Sequence, residues 1–357
     1  MRSTRTLSML SLGAVLWIGG STVMNTAMAH GDGDPYTAHY MWRRYFNTTV
    51  NCPTDGTTPN ATNAPEYACT GVIFRVTTPA KEPDGAWIPE AKSYNDSGKR
   101  SMGGVSFSYI RADSKFDRGA WGATNGFTLF PSDGKYKQPP GKMKLTVLCA
   151  FPIDAATDNR NDAGCNLTNK TNPPGAGYCA DNGITNLSQW EAAFGPPNKT
   201  DKQAEDWGWT KQCGWNMRDG KRLKTDFTTV LQAKAYSNTF DTVNELRIQT
   251  WAPNMAIGKS EQTALSLPIE SFFYFKGAKV TAADSAQGMK NAQSDQKKFF
   301  DLTGTFVPIV RITLPSSPAA DWDFSYQKED QSPGVTIPVF KKSDEIPCTK
   351  GTFDTKC

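Results

Sequence analysis

Alternating apolar and polar positions mark several short segments in the body of the chain. Because side chains two residues apart on a strand point the same way, this alternation predicts strands with one buried face. β-Branched and aromatic residues are concentrated in the same segments, which favours strands over helices. The predicted strands cover residues 68–77, 104–111, 126–130, 144–151, 245–251, 272–275 and 307–314.

Helical spacing is clearest over residues 277–300, which are rich in Ala, Gln and Lys and polar on one side. Shorter helices are predicted over 187–193 and 223–235, and a short aromatic helix within 30–50. Strands and helices are mixed without regular strand–helix–strand alternation, and no internal repeat occurs. We therefore predict an α+β fold, with a mixed, mainly antiparallel sheet, packed helices and long loops pinned by disulfides.

Three segments rich in Pro, Asn, Asp and Gly are predicted to be loops: residues 51–66, 79–100 and 154–186. The aspartates of residues 154–162 could ligate calcium through oxygen atoms, but their spacing does not fit a helix–loop–helix calcium motif. A loop closed by a disulfide and held by Asx turns is the preferred interpretation.

The first residues resemble a secretory signal. Arg2 and Arg5 precede an apolar stretch over residues 7–23, and Ala27-Met28-Ala29 supplies a small-x-small cleavage pattern. The stretch is shorter than the roughly 20 apolar residues that a membrane span needs, although an uncleaved anchor is the alternative. We expect cleavage after Ala29, export to the periplasm or the medium, and no stable membrane insertion. The remaining residues 30–357 are predicted to form a single large catalytic-type α+β domain.

The chain has eight cysteines, all of which follow the signal segment. An even number in an exported protein indicates disulfides, although eight cysteines allow on the order of 100 pairings. Neighbour pairing closes the shortest loops at the lowest entropic cost. It gives Cys52–Cys69, Cys149–Cys165, Cys179–Cys213 and Cys348–Cys357.

Histidine usage limits the chemistry. The chain has two histidines, His30 and His39, both close to the expected mature N-terminus. A Ser-His-Asp hydrolase needs a rigidly held histidine, and zinc hydrolases use histidine ligands. Catalysis would therefore depend on carboxylate, hydroxyl, Arg, Tyr or Lys groups, or on a cation bound by oxygen atoms. We expect neither a resident metal nor a cofactor. Removing Arg2 and Arg5 lowers the net charge from +4 to +2, which gives no electrostatic case for nucleic-acid binding.

Six segments occur in a distinctive order, and the longest reads Leu-Cys-Ala-Phe-Pro-Ile-Asp-Ala-Ala-Thr-Asp-Asn-Arg over residues 148–160. Together they resemble the halovibrin family of secreted bacterial proteins. The resemblance implies an NAD glycohydrolase or ADP-ribosyltransferase-like toxin, with NAD as substrate and a host protein as a conceivable acceptor. We expect the protein to act as a monomer. The segments are residues 68–75, 105–116, 148–160, 212–215, 244–247 and 308–315.

Candidate site residues follow a loose match to ADP-ribosylating enzymes, which carry an Arg on one strand, a Ser-x-Ser strand and a later Glu. Here Arg75, Ser106-Phe107-Ser108 and Glu245 occur in that order. Arg75 would hold a phosphate or ribose, and Glu245 would be the catalytic carboxylate that stabilises the ribosyl cation. Because Ser106 and Ser108 share one side of their strand, Phe107 is expected to face the core.

Arg111 and Arg311 complete the predicted substrate-binding set, and Glu329 is a rival to Glu245 as the acid. Arg311 is unusual because it lies within a strongly apolar strand. The alternative for Arg75 and Arg111 is an ion pair at a strand edge, and for the serines it is the solvent side of a half-buried strand.

The competing hypothesis for the whole protein is a secreted, non-catalytic binding or colonisation protein that recognises a host or carbohydrate ligand. Disulfides, polar loops and aromatic residues suit that role as well as an enzyme. The two hypotheses differ in whether NAD is consumed.

Overall fold

The computed structural model describes residues 49–50, 64–65, 72–79, 105–110, 119, 122–129, 146–151, 179–194, 213–216, 244–249, 268–277, 279–317 and 323–337. Several predictions lie outside these ranges. They include the signal peptide, the helix over 223–235, most of the aromatic segment 30–50, the aspartate-rich residues 154–162, and Arg111.

The described chain forms eleven strands and two α-helices. The strands are β1 (Thr49–Val50), β2 (Ala64–Pro65), β3 (Val72–Pro79), β4 (Val105–Ile110), β5 (Ala123–Leu129), β6 (Thr146–Phe151), β7 (Trp215–Asn216), β8 (Glu245–Gln249), β9 (Ile269–Gly277), β10 (Ile309–Leu314) and β11 (Asp323–Tyr326). The helices are α1 (Leu187–Phe194) and α2 (Ala282–Thr303), and 3₁₀ turns cover Cys179–Asn182 and Lys328–Asp330.

Nine of these strands form one sheet in the order β11-β10-β9-β5-β3-β4-β8-β6-β7. Every neighbouring pair is antiparallel except β9 and β10, which run parallel. A mixed, mainly antiparallel sheet with helices agrees with the α+β prediction. The strands β9 and β10 are joined through α2, so one strand–helix–strand unit stands at this end of the sheet.

Helix α2 has well-defined ends. Thr281 caps its start, because the Thr281 hydroxyl accepts a hydrogen bond from the Asp284 N–H, and Gly304 caps its end. Gly288 lets the helix approach β5 closely, since a Cβ there would lie 2.7 Å from the Thr124 carbonyl oxygen. Phe299 packs edge-on against Phe272 of β9 with ring centroids 5.9 Å apart. The helix therefore lies directly on β9 and β5.

Aromatic side chains fill both sides of the sheet. On the side that α2 covers, Phe107 and Phe127 meet edge-on, and Phe127 pairs in register with Phe272. On the other side, Phe74 contacts Phe273 and Phe275. Phe107 is buried, which confirms that it faces the core.

Cys179 and Cys213 form a disulfide, as neighbour pairing predicted. The Cys179 N–H also donates to the carbonyl of Gly214, so the bridge fixes the turn after Cys179 against the sheet end near β7. Buried Trp190 and Trp215 belong to the same core cluster. Each of the other three predicted pairings involves a cysteine outside the described residues.

A side-chain amide extends one strand pair. Asn244 immediately precedes β8, and its side chain accepts from the Tyr109 N–H at 2.8 Å and donates to the Tyr109 carbonyl at 2.9 Å. These two bonds continue the pairing of β4 with β8 by one further step.

Three short pairings differ from the sequence prediction. β2 lies within residues 51–66, which were predicted to be loop, and pairs with β1. β7 and β11 were not predicted, and they pair with β6 and β10 as the two edge strands of the sheet. Neither helix that the structure describes is long and apolar enough to cross a bilayer.

Candidate functional site

Three of the predicted site segments lie side by side, because β3, β4 and β8 are neighbours in the sheet. Phe107 pairs with Leu246 and Ser106 pairs with Arg247 in antiparallel register. The same register sets Ser108 opposite Glu245, so these two residues share one side of the sheet. Of Ser106, only the backbone position is described.

Arg75 lies on the other side of the sheet. Phe74 pairs with Ser108, so the next residue, Arg75, points the opposite way. Its guanidinium carbon lies 6.0 Å from the centre of the Phe107 ring, on the side that α2 covers. The sheet therefore lies between the Arg75 guanidinium and the Glu245 carboxylate, and the expected grouping of these two residues around one ligand is not formed.

Glu245 is 3% exposed, and its Oε1 accepts a hydrogen bond from Arg247 Nη1 at 3.1 Å. Both side chains of this ion pair are almost fully buried. A carboxylate in this position is shielded from ligands in solution. Arg311 lies five strand steps away on β10, about 24 Å at the usual strand spacing, so it cannot reach the same ligand group.

A cleft of about 440 Å³ lies where β9 ends and α2 begins, and we call it the β9–β10 cleft. The turn between them needs Gly277, whose φ is 98° and where a Cβ would lie 2.5 Å from the Leu314 carbonyl oxygen. The cleft is lined by Tyr274, Lys276, Gly277, Val280, Ala282, Ser285, Ala286, Met289, Arg311 and Asp330.

Three polar side chains meet in this cleft. Arg311 pairs in register with Tyr274, and its Nε donates to the Tyr274 hydroxyl at 2.9 Å. The Tyr274 hydroxyl donates in turn to Asp330 Oδ2 at 2.7 Å. Arg311 Nη2 donates to both Asp330 oxygens, at 3.2 and 3.1 Å. The result is a closed ring of hydrogen bonds among a guanidinium, a phenol and a carboxylate.

The surroundings keep Tyr274 protonated and Arg311 charged. Burial raises the pKa of Tyr274 to about 12; its bond to Arg311 opposes this rise and Asp330 adds to it. Burial acts to lower the pKa of Arg311, but its contacts with Tyr274 and Asp330 outweigh that effect and raise it. At neutral pH the cleft therefore presents a fixed cation and a neutral hydroxyl.

The turn that carries Asp330 is held by side-chain amides. Gln331 donates to the Ile309 carbonyl at 2.9 Å and accepts from the Ile309 N–H at 2.8 Å. Gln296 of α2 donates to Gln331 at 2.9 Å and accepts from the Ser332 N–H at 2.7 Å. Asp330 is therefore fixed relative to both β10 and α2.

Only Arg311 of this cleft was among the predicted site residues. Tyr274, Lys276 and Asp330 were missed, and the rival acid Glu329 is exposed on the turn that buries Asp330. One signal pointed here: an arginine inside an apolar strand needs an anionic partner, and the Glu329-Asp330 pair follows within twenty residues.

The chain matches no protein-family model and no curated protein. Within the described ranges, no group of three or more His, Cys, Asp or Glu side chains is placed to hold a metal ion.

Proposed function

We propose that the protein is a secreted enzyme that hydrolyses NAD at the nicotinamide–ribose bond, and that the β9–β10 cleft is its active site. The observation that carries this proposal is the meeting of Asp330, Arg311 and Tyr274 in an open cleft large enough for part of a nucleotide. The strand that supplies Arg311 also lies in segment 308–315, one of those that resemble the halovibrin family.

The chemistry needs few groups. The bond between the ribose C1′ and the nicotinamide nitrogen breaks, and its electron pair leaves with nicotinamide, which departs as a neutral molecule. The ribose then carries an oxocarbenium-like charge, as in glycoside cleavage. Water adds at C1′ and releases one proton to solvent. No histidine is needed, because the leaving group requires no proton.

Asp330 is the residue we assign to stabilise the ribosyl cation, in place of Glu245. Its carboxylate is fixed by Tyr274 and Arg311 and faces the cleft, so it needs no rearrangement as positive charge develops. Glu245 is about as buried as Asp330, but its partner Arg247 is 10% exposed, against 26% for Arg311. Transfer of ADP-ribose to a host protein acceptor would use the same cation with a different nucleophile.

A non-catalytic role is the second candidate, and one observation favours it. Both oxygens of Asp330 already accept hydrogen bonds within the protein, as in a cluster that only shapes a binding surface. In that case the cleft would hold a host or carbohydrate ligand without changing it.

The test is nicotinamide release from NAD by the purified, oxidised protein, followed by chromatography. We expect release by the native protein and a loss of about 100-fold or more in Asp330→Asn, because one preorganised electrostatic contact is removed at the reacting centre. Glu329→Gln changes the exposed neighbour on the same turn and should retain its rate within about twofold.

Two results would overturn parts of the proposal. No release by the native protein would reject NAD hydrolysis and leave the binding role. The other result is that Glu245→Gln loses nicotinamide release while it unfolds at the native temperature and Asp330→Asn stays active. That result would show that Glu245 on β8, and not Asp330, is the catalytic carboxylate.

A further inference from the structure

Two cationic side chains in the β9–β10 cleft have hydrogen-bond donors that a ligand could use. Arg311 uses Nε and Nη2 within the hydrogen-bonded ring, while its Nη1 makes no hydrogen bond to any described residue. Lys276 lies two residues after Tyr274 on the same side of β9 and is exposed. Among the described residues its ammonium has no ion-pair partner. Because Asp330 balances only one positive charge, the lining carries an excess charge of +1.

The position of the cleft in the fold also suits an anion. β9 and β10 are parallel, and the cleft lies towards their carboxyl ends, where α2 starts. Strand–helix–strand units bind ligands at this end, and the first N–H groups of the helix favour negative charge there. Ala282, the first residue of α2, lines the cleft. Asp284, the acidic residue of the first turn, is not one of the lining residues.

A buried hydroxyl in the first turns of α2 gives an independent observation. Ser285 lines the cleft, is 7% exposed, and its Oγ has no hydrogen-bond partner within the described part of the chain. A buried hydroxyl without a partner is costly, so native proteins usually satisfy such groups with a ligand or an ordered water. The Oγ itself has almost no accessible surface, so it would donate to an anion in the cleft only after rotation about the Ser285 Cα–Cβ bond.

We infer that the β9–β10 cleft binds a diphosphate group, held between Lys276, Arg311 Nη1 and the first turn of α2. Guanidinium and ammonium groups together form the charge-assisted hydrogen bonds that phosphate oxygens accept most strongly. The inference rests on the proposed function for the identity of the substrate, whose diphosphate would lie here with its nicotinamide ribose near Asp330. Binding of a diphosphate alone does not depend on catalysis.

The probe is inorganic pyrophosphate, titrated calorimetrically into the native protein at about physiological ionic strength. We expect Lys276→Met to weaken pyrophosphate binding by about tenfold, because one charge-assisted contact is lost. Lys290→Met removes the same charge from an exposed position on α2 that does not line the cleft, and it should bind within about twofold of the native protein. In NAD hydrolysis, Lys276→Met should raise KM with kcat nearly unchanged, as expected for a contact kept throughout the reaction.

Two outcomes reject the diphosphate site: no heat of pyrophosphate binding to the native protein, or equal affinity in Lys276→Met and Lys290→Met. Pyrophosphate binding that is lost in Lys276→Met, in a protein that releases no nicotinamide, would reject NAD hydrolysis and retain the diphosphate site. Nicotinamide release with an unchanged KM in Lys276→Met would reject the diphosphate site and retain NAD hydrolysis.

Discussion

Two regions of the sheet carry an arginine–carboxylate pair, and both pairs have a closest N–O distance of 3.1 Å. In the β8 pair, Glu245 and Arg247 lie two residues apart on one strand, with side chains 4% and 10% exposed. In the cleft pair, Asp330 comes from a turn and Arg311 from β10, with exposures of 7% and 26%. The closest N–O distances are the same in the two pairs, but the arginine side chain is more exposed to solvent in the cleft pair than in the β8 pair.

This comparison shows that access separates a structural ion pair from a candidate functional one. A pair buried on all sides can contribute to stability but has no surface to offer a ligand. A pair at the wall of a cleft can keep a donor without a partner among the described residues, as Arg311 Nη1 does. We therefore expect changes at the β8 pair to alter stability and changes around the cleft to alter ligand binding.

Glu245→Ala is expected to have the largest effect on stability. It leaves the Arg247 guanidinium buried without its carboxylate, which costs about 3–5 kcal/mol in the free energy of unfolding. Urea unfolding measures this cost, and the Glu245→Met/Arg247→Met double variant should recover much of it. A loss below about 1 kcal/mol, the range of an exposed pair, would contradict the structural role of the β8 pair.

Gly288→Ala tests the close contact between α2 and β5 beside the cleft. Its new Cβ would lie 2.7 Å from the Thr124 carbonyl oxygen, so the helix must shift, at a cost of about 1–3 kcal/mol. Because α2 lines the cleft, pyrophosphate affinity should fall as well, whereas Glu245→Ala should leave it unchanged. Ser294→Ala, on the exposed side of α2, is the matched control in the same unfolding and titration experiments. Unaltered stability in Gly288→Ala would show that the contact with β5 is looser than described.

Tyr274→Phe should have the smallest effect, about 0.5–1.5 kcal/mol at neutral pH, because it removes one buried hydroxyl that bridges Arg311 and Asp330. Burial raises the pKa of Tyr274 and of Tyr326 to about 12, against an ordinary 10, and Glu329 contributes to the rise at Tyr326.

The pH dependence follows from the sign of these shifts. The stability associated with each raised pKa is fully present below pH 10 and is lost as the pH rises towards 12. Thermal unfolding between pH 9 and about 12 should therefore show a shallower decline in Tyr274→Phe than in the native protein. Tyr326→Phe is the comparison variant, and an unchanged alkaline decline in both would contradict the assigned shifts.

The sequence predicts individual elements well where a local pattern is long. The helix expected over 277–300 is α2 (Ala282–Thr303), and the strand expected over 307–314 contains β10 (Ile309–Leu314). The Cys179–Cys213 bridge followed from loop length alone. These features depend on residues that are close together in the sequence, and the periodicity of the sequence reports on such residues directly.

Local sequence patterns do not show which distant segments pair with one another. The alternation over residues 106–108 correctly places Phe107 in the core, and Phe74 and Arg75 lie on opposite sides of the sheet as well. Nothing local says that Ser108 pairs with Phe74, the register that separates Arg75 from Glu245. The parallel pairing of β9 with β10 likewise joins segments that are distant in the sequence, so no local pattern predicts it.

Asp330 escaped prediction for a related reason. It lies in a polar run beside the exposed Glu329, with no apolar period to indicate that one of the two is buried. Its burial comes from Tyr274 on β9 and from the anchoring of Gln331 by Gln296, contacts that span from 35 to 56 residues.

Asn244 and Gln331 share one structural property: each presents an N–H donor and a carbonyl acceptor to a single backbone residue, Tyr109 or Ile309, as a peptide group would. Deamidation would turn either side chain into a carboxylate, an acceptor without a donor, set against the backbone carbonyl that the amide now serves. Deamidation at these two amides would therefore loosen the β4–β8 pairing and the cleft end of the sheet separately.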